Sequence, residues 1–146
     1  MAVVVERVAN VESAPETVWG LLVNLETWKR WWPGCVEASA DDHRTLHEGS
    51  KIELVLQPAG RKVTFNPVVD MLSEGKTLSL THQSLFLQGT VVWEVAEGPT
   101  GARVSLRGVF KGFQVWLMGL ASQNGIFQHG LSSSLRGLKK LAERML

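Results

Sequence analysis

Two histidines, His43 and His47 in the stretch HRTLH, are four residues apart, a spacing that can bind zinc on one face of a helix. The stretch is polar and has no helical apolar pattern. No glutamate follows the first histidine, as the zinc-protease motif would require. We therefore expect an exposed loop here, and no metal site.

Serine and carboxylate chemistry is weakly indicated. Three consecutive serines at 132–134 lack the strand–turn–helix context of a nucleophile, and His129 alone makes no triad. Small residues that let a helix approach a sheet are the better interpretation. Glu53 and Glu94 fall on outward strand faces, so a catalytic carboxylate set that includes Asp70 is not expected.

His82 is the strongest single candidate. Strand alternation places it in an inward set with Leu78 and Leu80, where it is the one strongly polar side chain. In an enclosed space it could orient a ligand or transfer a proton. The alternative, which we favour, is a histidine near the rim, hydrogen-bonded to backbone or water. Asn124, on the apolar side of the last helix, could meet a ligand or bond a strand end.

The elements that position these residues begin with a strand and two short helices. AVVVERVANVE predicts a strand in which Arg7 falls in the inward phase. Because no inward carboxylate is evident, we expect Arg7 at an end of the strand. SAPETVWGLLVN predicts a helix with Ser13 as N-cap, Glu16 completing a capping box and Pro15 in the first turn. A second short helix is expected over 26–32.

The middle of the chain predicts an antiparallel meander. Five segments alternate with period two and are separated by short turn signals: SKIELVLQ, RKVTFNPVVDML, KTLSLTHQ, LQGTVVWEVAE and ARVSLRGVFKG. One face of these strands is apolar and the other is polar. Pro67 cannot donate to a ladder, so its strand must be bent, bulged or at an edge there.

A long helix from about 119 to 146 is the expected cover for the apolar face. It contains four glycines, each costing about 1 kcal/mol against alanine, so we expect a close approach or a bend. An antiparallel sheet curved around this helix is an α+β fold that encloses space. The residues expected to bind a ligand there are Trp32, Leu54, Phe65, Leu80, His82, Leu87, Trp93, Leu106, Phe110, Asn124, Phe127 and Leu131.

Three tryptophans cluster in ETWKRWWPGC. Trp28 and Trp31 share a helix face and are expected to pin the short helices to the sheet. Trp32 points elsewhere, and we expect it at the rim of the enclosed space, where it could gate the cavity, touch a ligand or simply pack.

Composition narrows the function classes. A chain of 146 residues that is 45% hydrophobic and 20% charged predicts one globular domain over 1–146. With a net charge of +1 and dispersed basic residues, nucleic-acid binding is not expected. The cations of the last helix are expected to form a solvated face. They are Arg136, Lys139, Lys140 and Arg144.

The single cysteine, Cys35, excludes an internal disulfide. No apolar run is long enough to cross a membrane, and no phosphate-binding glycine loop or cofactor motif is present. We therefore expect a cytoplasmic protein without a cofactor or stable membrane insertion, as a monomer or weak homodimer.

Residues along the whole chain match motifs of a known superfamily. They are Ala14, Pro15, Val18, Trp19, Leu22, Trp28, Trp31, Pro33, Leu138, Lys139 and Glu143. On these, the chain resembles the START/Bet v 1-like superfamily, specifically its polyketide cyclase/dehydrase and lipid-transport group. Asn24 stands where aspartate is usual. WKRWWPGC, with Cys35, is also similar to a stretch of the ubiquinone-binding branch.

The resemblance implies a helix-grip fold whose internal space commonly holds a hydrophobic ligand. A carrier or sensor of a lipid, an isoprenoid or quinone, or a polyketide-like molecule is the leading hypothesis. The first alternative is an aromatase/cyclase-type enzyme, which needs inward acid–base groups where the sequence offers only His82. The second is an interaction module of the Hsp90-activator type, which predicts a filled core and an exposed apolar patch.

Overall fold

The computed structural model describes residues 2–41, 45–57, 62–85, 87–112 and 126–145. In chain order its elements are β1 (Ala2–Val11), α1 (Pro15–Val23), a 3₁₀ turn (Leu25–Thr27), α2 (Trp28–Trp31), β2 (Cys35–Ala40), β3 (Ile52–Leu56), β4 (Val63–Phe65), β5 (Val68–Ser73), β6 (Thr77–Gln83), β7 (Gln88–Gly98), β8 (Gly101–Lys111) and α3 (Ile126–Arg144).

The strands form two antiparallel sheets, one in the order β1-β8-β7-β6-β5 and one in the order β2-β3-β4. In β8 the period-two pattern is plain, since Ala102, Val104 and Leu106 are buried while Arg103 and Arg107 are exposed. The alternation read from the sequence therefore assigned the inward face of this strand correctly.

The two sheets meet at Pro67. The amide of Ile52 donates to the Pro67 carbonyl at 2.9 Å, and the amide of Val69 donates to the carbonyl of Ser50 at 2.9 Å. Because Pro67 has no N–H, regular pairing is interrupted there, and the chain leaves β4 in one sheet and enters β5 in the other. The break in strand pairing expected at Pro67 is thus where the chain passes from one sheet to the other.

α3 packs across β1 and β8 and against both short helices. Leu131, Leu135 and Leu138 are buried in the core that this packing creates. A curved antiparallel framework around one C-terminal helix confirms the α+β helix-grip fold.

Two local expectations were wrong. Ser13 does not cap α1; the N-cap is Ala14, with no side-chain hydrogen bond. Pro15 favours the first helical position and extended backbone in the residue before it, so the helix begins one residue later than the capping box requires. Arg7 lies in the middle of β1, exposed, and its Nε donates to the Ser132 hydroxyl at 2.9 Å. It needs no carboxylate because β1 is an edge strand, open to water.

The second helix region, expected over 26–32, is a 3₁₀ turn followed by α2, together covering 25–31. Asn24 accepts a hydrogen bond from the Glu26 amide at 3.2 Å and starts the 3₁₀ turn, after which α2 makes one turn and ends before Trp32.

Candidate functional site

A cavity of about 140 Å³ is bounded by β3, β4, β6, β7, β8, α3 and Trp32. Apart from His82, its described lining residues are apolar or glycine. Apolar walls with one polar group are the usual composition of a site for a hydrophobic small molecule. The lining residues are Trp32, Leu54, Leu56, Phe65, Pro67, Leu80, His82, Leu87, Gly89, Val91, Phe110, Gly130 and Leu131.

Most of the residues expected around the internal space line this cavity. They are Trp32, Leu54, Phe65, Leu80, His82, Leu87, Phe110 and Leu131. Trp93 and Leu106 do not line it, because they are packed in the core with 0% and 1% exposure. Asn124 lies outside the described residues. Phe127 lies in α3, but its side chain is outside the described part of the chain.

Five lining residues were not in the expected set: Leu56, Pro67, Gly89, Val91 and Gly130. The strand glycines beside Phe110 show one physical reason. A Cβ on Gly89 would lie 2.7 Å from the Phe110 ring, and one on Gly108 would lie 2.9 Å from it. The ring of Phe110 therefore occupies space that these two glycines leave free, and forms a wall of the cavity. In the sequence, the available signal for this wall was the presence of two glycines inside strands together with an inward-facing phenylalanine.

His82 lines the cavity and is hydrogen-bonded to the backbone, which is the alternative favoured from the sequence. Its Nδ1 accepts a hydrogen bond from the Asn66 amide at 3.1 Å, and its ring lies edge-on to Phe65 with centroids 5.3 Å apart. Burial lowers the pKa of His82, so the imidazole is neutral at pH 7. Because Nδ1 is an acceptor, Nε2 carries the proton. Among the described lining residues His82 is thus the polar one, and its neutral ring has one N–H donor.

The tryptophans form one cluster rather than two separate features. Ring centroids of Trp32 lie 5.5 Å from Trp28, 5.7 Å from Trp31 and 6.2 Å from Trp93. The indoles of Trp28 and Trp31 donate to the Leu22 carbonyl and the Thr27 hydroxyl. Trp32 is only 7% exposed, so it is a packed wall of the cavity rather than a residue on an open rim.

The indole N–H of Trp93 has no hydrogen-bond partner among the described residues, although the side chain is fully buried. Such a donor normally finds an acceptor or an ordered water. It sits beside Trp31 and Trp32, directly behind the cavity wall.

The remaining chemical candidates have structural explanations. Ser134 is buried and donates to the Leu131 carbonyl at 2.7 Å, within its own helix. Asp70 accepts from the Thr81 hydroxyl at 2.6 Å. Nδ1 of His47 lies 3.0 Å from the Ser50 hydroxyl, while His43 is outside the described residues. Within the described ranges, no three His, Cys, Asp or Glu side chains are grouped closely enough to hold a metal ion.

Of the helices in the described part of the chain, none is both long enough and apolar enough to cross a membrane.

Solved structures with the same fold come from several sources. A protein from Thermus thermophilus matches with a TM-score of 0.77 and 18% identity, covering 99% of each chain. The di-domain ARO/CYC StfQ from the steffimycin biosynthetic pathway matches with a TM-score of 0.77 and 15% identity, over 99% of this chain and 52% of that one. Ara h 8.0201 matches with a TM-score of 0.68 and 9% identity, over 97% and 98%.

At these identities the structural likeness shows the fold. A search of curated proteins finds no match to the sequence. The family model described as polyketide cyclase / dehydrase and lipid transport, in contrast, matches residues 2–143. The chain therefore belongs to the polyketide cyclase/dehydrase and lipid-transport family of the START/Bet v 1-like superfamily.

Proposed function

We propose that this protein binds a hydrophobic small molecule in the cavity between its sheets and α3, as a carrier or sensor. The observation that carries the proposal is the lining: among its described residues, twelve apolar or glycine positions surround one histidine. A ligand enclosed there loses contact with water, which contributes about 25 cal/mol for each Å² of apolar surface buried.

The cavity volume restricts the ligand. Pockets that hold drug-sized ligands measure roughly 300–1,000 Å³, whereas this cavity measures about 140 Å³. An apolar cavity of about 150 Å³ is enough to bind benzene. A single ring or a short branched chain therefore fits without rearrangement, and a longer isoprenoid or acyl chain requires the walls to move.

His82 restricts the ligand further. With its proton on Nε2 and Nδ1 bonded to the Asn66 amide, it can donate one hydrogen bond. An acceptor such as a ketone, quinone or carboxylic oxygen would match it. Among the classes considered, a quinone head group or a keto-bearing polyketide fragment agrees best with both size and polarity.

A cyclase is the second candidate, because the family model includes cyclases and His82 is an acid–base group at the cavity. The hydrogen bonding of His82 argues against the role of general base. Nδ1 already accepts the Asn66 amide and Nε2 is protonated, so neither nitrogen has a free lone pair for a substrate proton. An interaction module with a filled core is disfavoured by the cavity itself.

The test is a cavity-blocking substitution. A Cβ on Gly130 meets nothing within 4 Å, and Gly130 lines the cavity, so Gly130→Leu places a side chain in the space that a ligand would use. Replacing a helix-interior glycine also favours folding. The matched control is Gly20→Leu, at an exposed α1 glycine whose Cβ also meets nothing within 4 Å.

Native mass spectrometry of the protein from its host should show a bound mass in wild type and in Gly20→Leu, but not in Gly130→Leu. In titrations, a single-ring quinone should bind wild type and Gly20→Leu, and should bind Gly130→Leu more weakly or not at all. A protein that carries no mass and ignores quinones, fatty acids and aromatic dyes contradicts the proposal. Turnover of a poly-β-keto substrate that is lost in His82→Gln would favour the cyclase instead.

A further inference from the structure

A second concave site, here called the basic groove, lies between α2 and α3. Its volume is about 410 Å³. The lining residues are Lys29, Arg30, Trp31, Trp32, Pro33, Gly34, Ser133, Arg136, Gly137, Lys140, Leu141 and Arg144. Among the described lining residues, Trp32 is the one that the groove shares with the cavity.

The charged residues in the described lining of the basic groove all have one sign. Five cationic side chains line it and no described carboxylate does, although the whole chain has 15 Lys and Arg against 14 Asp and Glu. Within the described ranges, none of the five has a carboxylate within 4.0 Å. Lys139, on another face of α3, shows the contrast: it lies 3.7 Å from Glu143 and does not line the groove.

The usual explanation for cations on a helix covers only part of this set. The helix dipole attracts positive charge within the last turn, which accounts for Arg144. Arg136 lies two turns before the end of α3, so the dipole of α3 does not explain it. Lys29 and Arg30 lie in the single turn of α2, whose dipole does not explain why they face the cations of α3. The convergence of α2 and α3 is therefore responsible for the cluster.

Gly137 makes that convergence possible. A Cβ at Gly137 would overlap the backbone carbonyl oxygen of Trp31, so only glycine lets α3 approach α2 so closely. Ser133 and Gly137, both small, leave the groove open between the two rows of cations. Five like charges held around one concavity repel each other and raise the local concentration of anions.

We propose that the basic groove binds a phosphate-type anion. Arg30, Arg136 and Arg144 carry planar guanidinium groups, which match phosphate oxygens with paired hydrogen bonds, and the two lysines add charge without fixed geometry. The bound group neutralises the repulsion among the five cations. This site is independent of the hydrophobic-ligand function, since binding is expected with the cavity empty.

The experiment uses the full chain and two paired variants, Lys29→Gln/Arg30→Gln in α2 and Arg136→Gln/Lys140→Gln in α3. All four side chains are exposed, so both variants should fold. The control, Arg103→Gln/Lys76→Gln, removes the same two charges from exposed positions outside the groove. Binding of inorganic pyrophosphate is followed by calorimetry, and the amide signals of Gly137 and the Trp31 indole by NMR.

Each groove variant should bind pyrophosphate at least about tenfold more weakly than wild type, whereas the control should bind it like wild type. Added sodium chloride should weaken wild-type binding. An equal loss in the control, no binding by wild type, or a loss confined to the α3 variant overturns the proposal, because a groove site needs both walls.

A second arm identifies the source of the phosphate group. Cosedimentation compares vesicles of phosphatidylcholine with vesicles that also contain phosphatidic acid. Groove-dependent binding to the acidic vesicles assigns a lipid head group, and pyrophosphate binding without vesicle binding assigns a free phosphate compound. Both outcomes require the two groove variants to fail where the control succeeds.

Discussion

In His82, Nδ1 is committed to the fold as a hydrogen-bond acceptor, and Nε2 carries the proton. The Asn66 amide fixes the ring through Nδ1, and the edge contact with Phe65 orients it. This arrangement makes the residue useful as a hydrogen-bond donor and unsuited to proton abstraction. It also links the residue to stability, because protonation would cost the Asn66 amide its acceptor.

Stability should depend on pH through His82. Burial lowers the pKa of His82 below its ordinary value of 6.5, so the unfolded chain binds this proton more readily than the folded one. The contribution is fully present above 6.5 and is lost as the pH falls towards the depressed pKa. Lowering the pH from 7.5 to 5 should therefore destabilise wild type more than His82→Gln. Thermal unfolding at each pH measures the difference. Parallel pH profiles for the two proteins would contradict this assignment.

Cys35 should react slowly with thiol reagents. Burial raises the pKa of the Cys35 thiol and also limits access to it, with Lys29 opposing the shift. A disulfide-exchange reagent at pH 8 should label the native protein many-fold more slowly than the urea-unfolded chain. The unfolded chain provides the control, and equal rates in the two states would show that the thiol is accessible.

At the scale of elements, the structure depends on how closely α3 approaches its neighbours. α3 touches α2 through Gly137, contacts β1 through Arg7 and Ser132, and anchors Lys139 on the Asn10 carbonyl at 2.8 Å. The glycines of α3 are not equivalent. Gly137 is required by the Trp31 backbone, whereas Gly130 faces open space.

Gly137→Ala and Gly130→Ala should therefore change stability in opposite directions. In Gly137→Ala, overlap with the Trp31 carbonyl should destabilise by about 1–3 kcal/mol, despite alanine's better helix propensity. In Gly130→Ala, the new methyl meets nothing within 4 Å, so the helix should gain up to about 1 kcal/mol. Urea unfolding measures both. Destabilisation of equal size in the two variants would mean that the close contact with α2 is unimportant.

At the scale of the whole molecule, two concave sites of opposite character share Trp32 in their linings. The cavity is apolar with one neutral donor, and the basic groove is cationic throughout its described lining. Both depend on α3, which lines the cavity with Gly130 and Leu131 and the groove with residues further along the helix.

A cavity ligand should stabilise the whole fold. At about 100 times its dissociation constant, a ligand that binds only the folded state adds roughly 2.7 kcal/mol, enough to raise Tm by several degrees. Wild type and Gly20→Leu should show this shift with a single-ring quinone, while Gly130→Leu should not. A shift that persists in Gly130→Leu would place the ligand elsewhere.

The sequence was sufficient for the fold and for most of the cavity lining, because period-two alternation decides which side chains of a strand face inward. It indicated Leu54, Leu80 and Phe110 for that reason. It could not indicate Gly89 or Gly130, which have no side chain to count. Nor could it separate Trp93 from the lining, since Trp93 shares the inward phase but is covered by other tryptophans.

The basic groove illustrates the other limit. The sequence placed Arg136, Lys140 and Arg144 on a solvated face, which is the correct expectation for one helix in isolation. These cations become part of a positively charged groove only because Lys29 and Arg30 approach from α2. That approach depends on the tertiary contact between Gly137 and the Trp31 backbone.

The position of Trp32 has an optical consequence. Its ring lies within 6.2 Å of three other indoles, so excitation absorbed by any of them is shared across the cluster. Trp32 lines both the cavity and the basic groove. Emission and near-ultraviolet circular dichroism of the unlabelled protein should therefore change when a ligand fills either site. A Trp32→Phe substitution should weaken both changes, and part of the groove signal should remain because Trp31 also lines the groove.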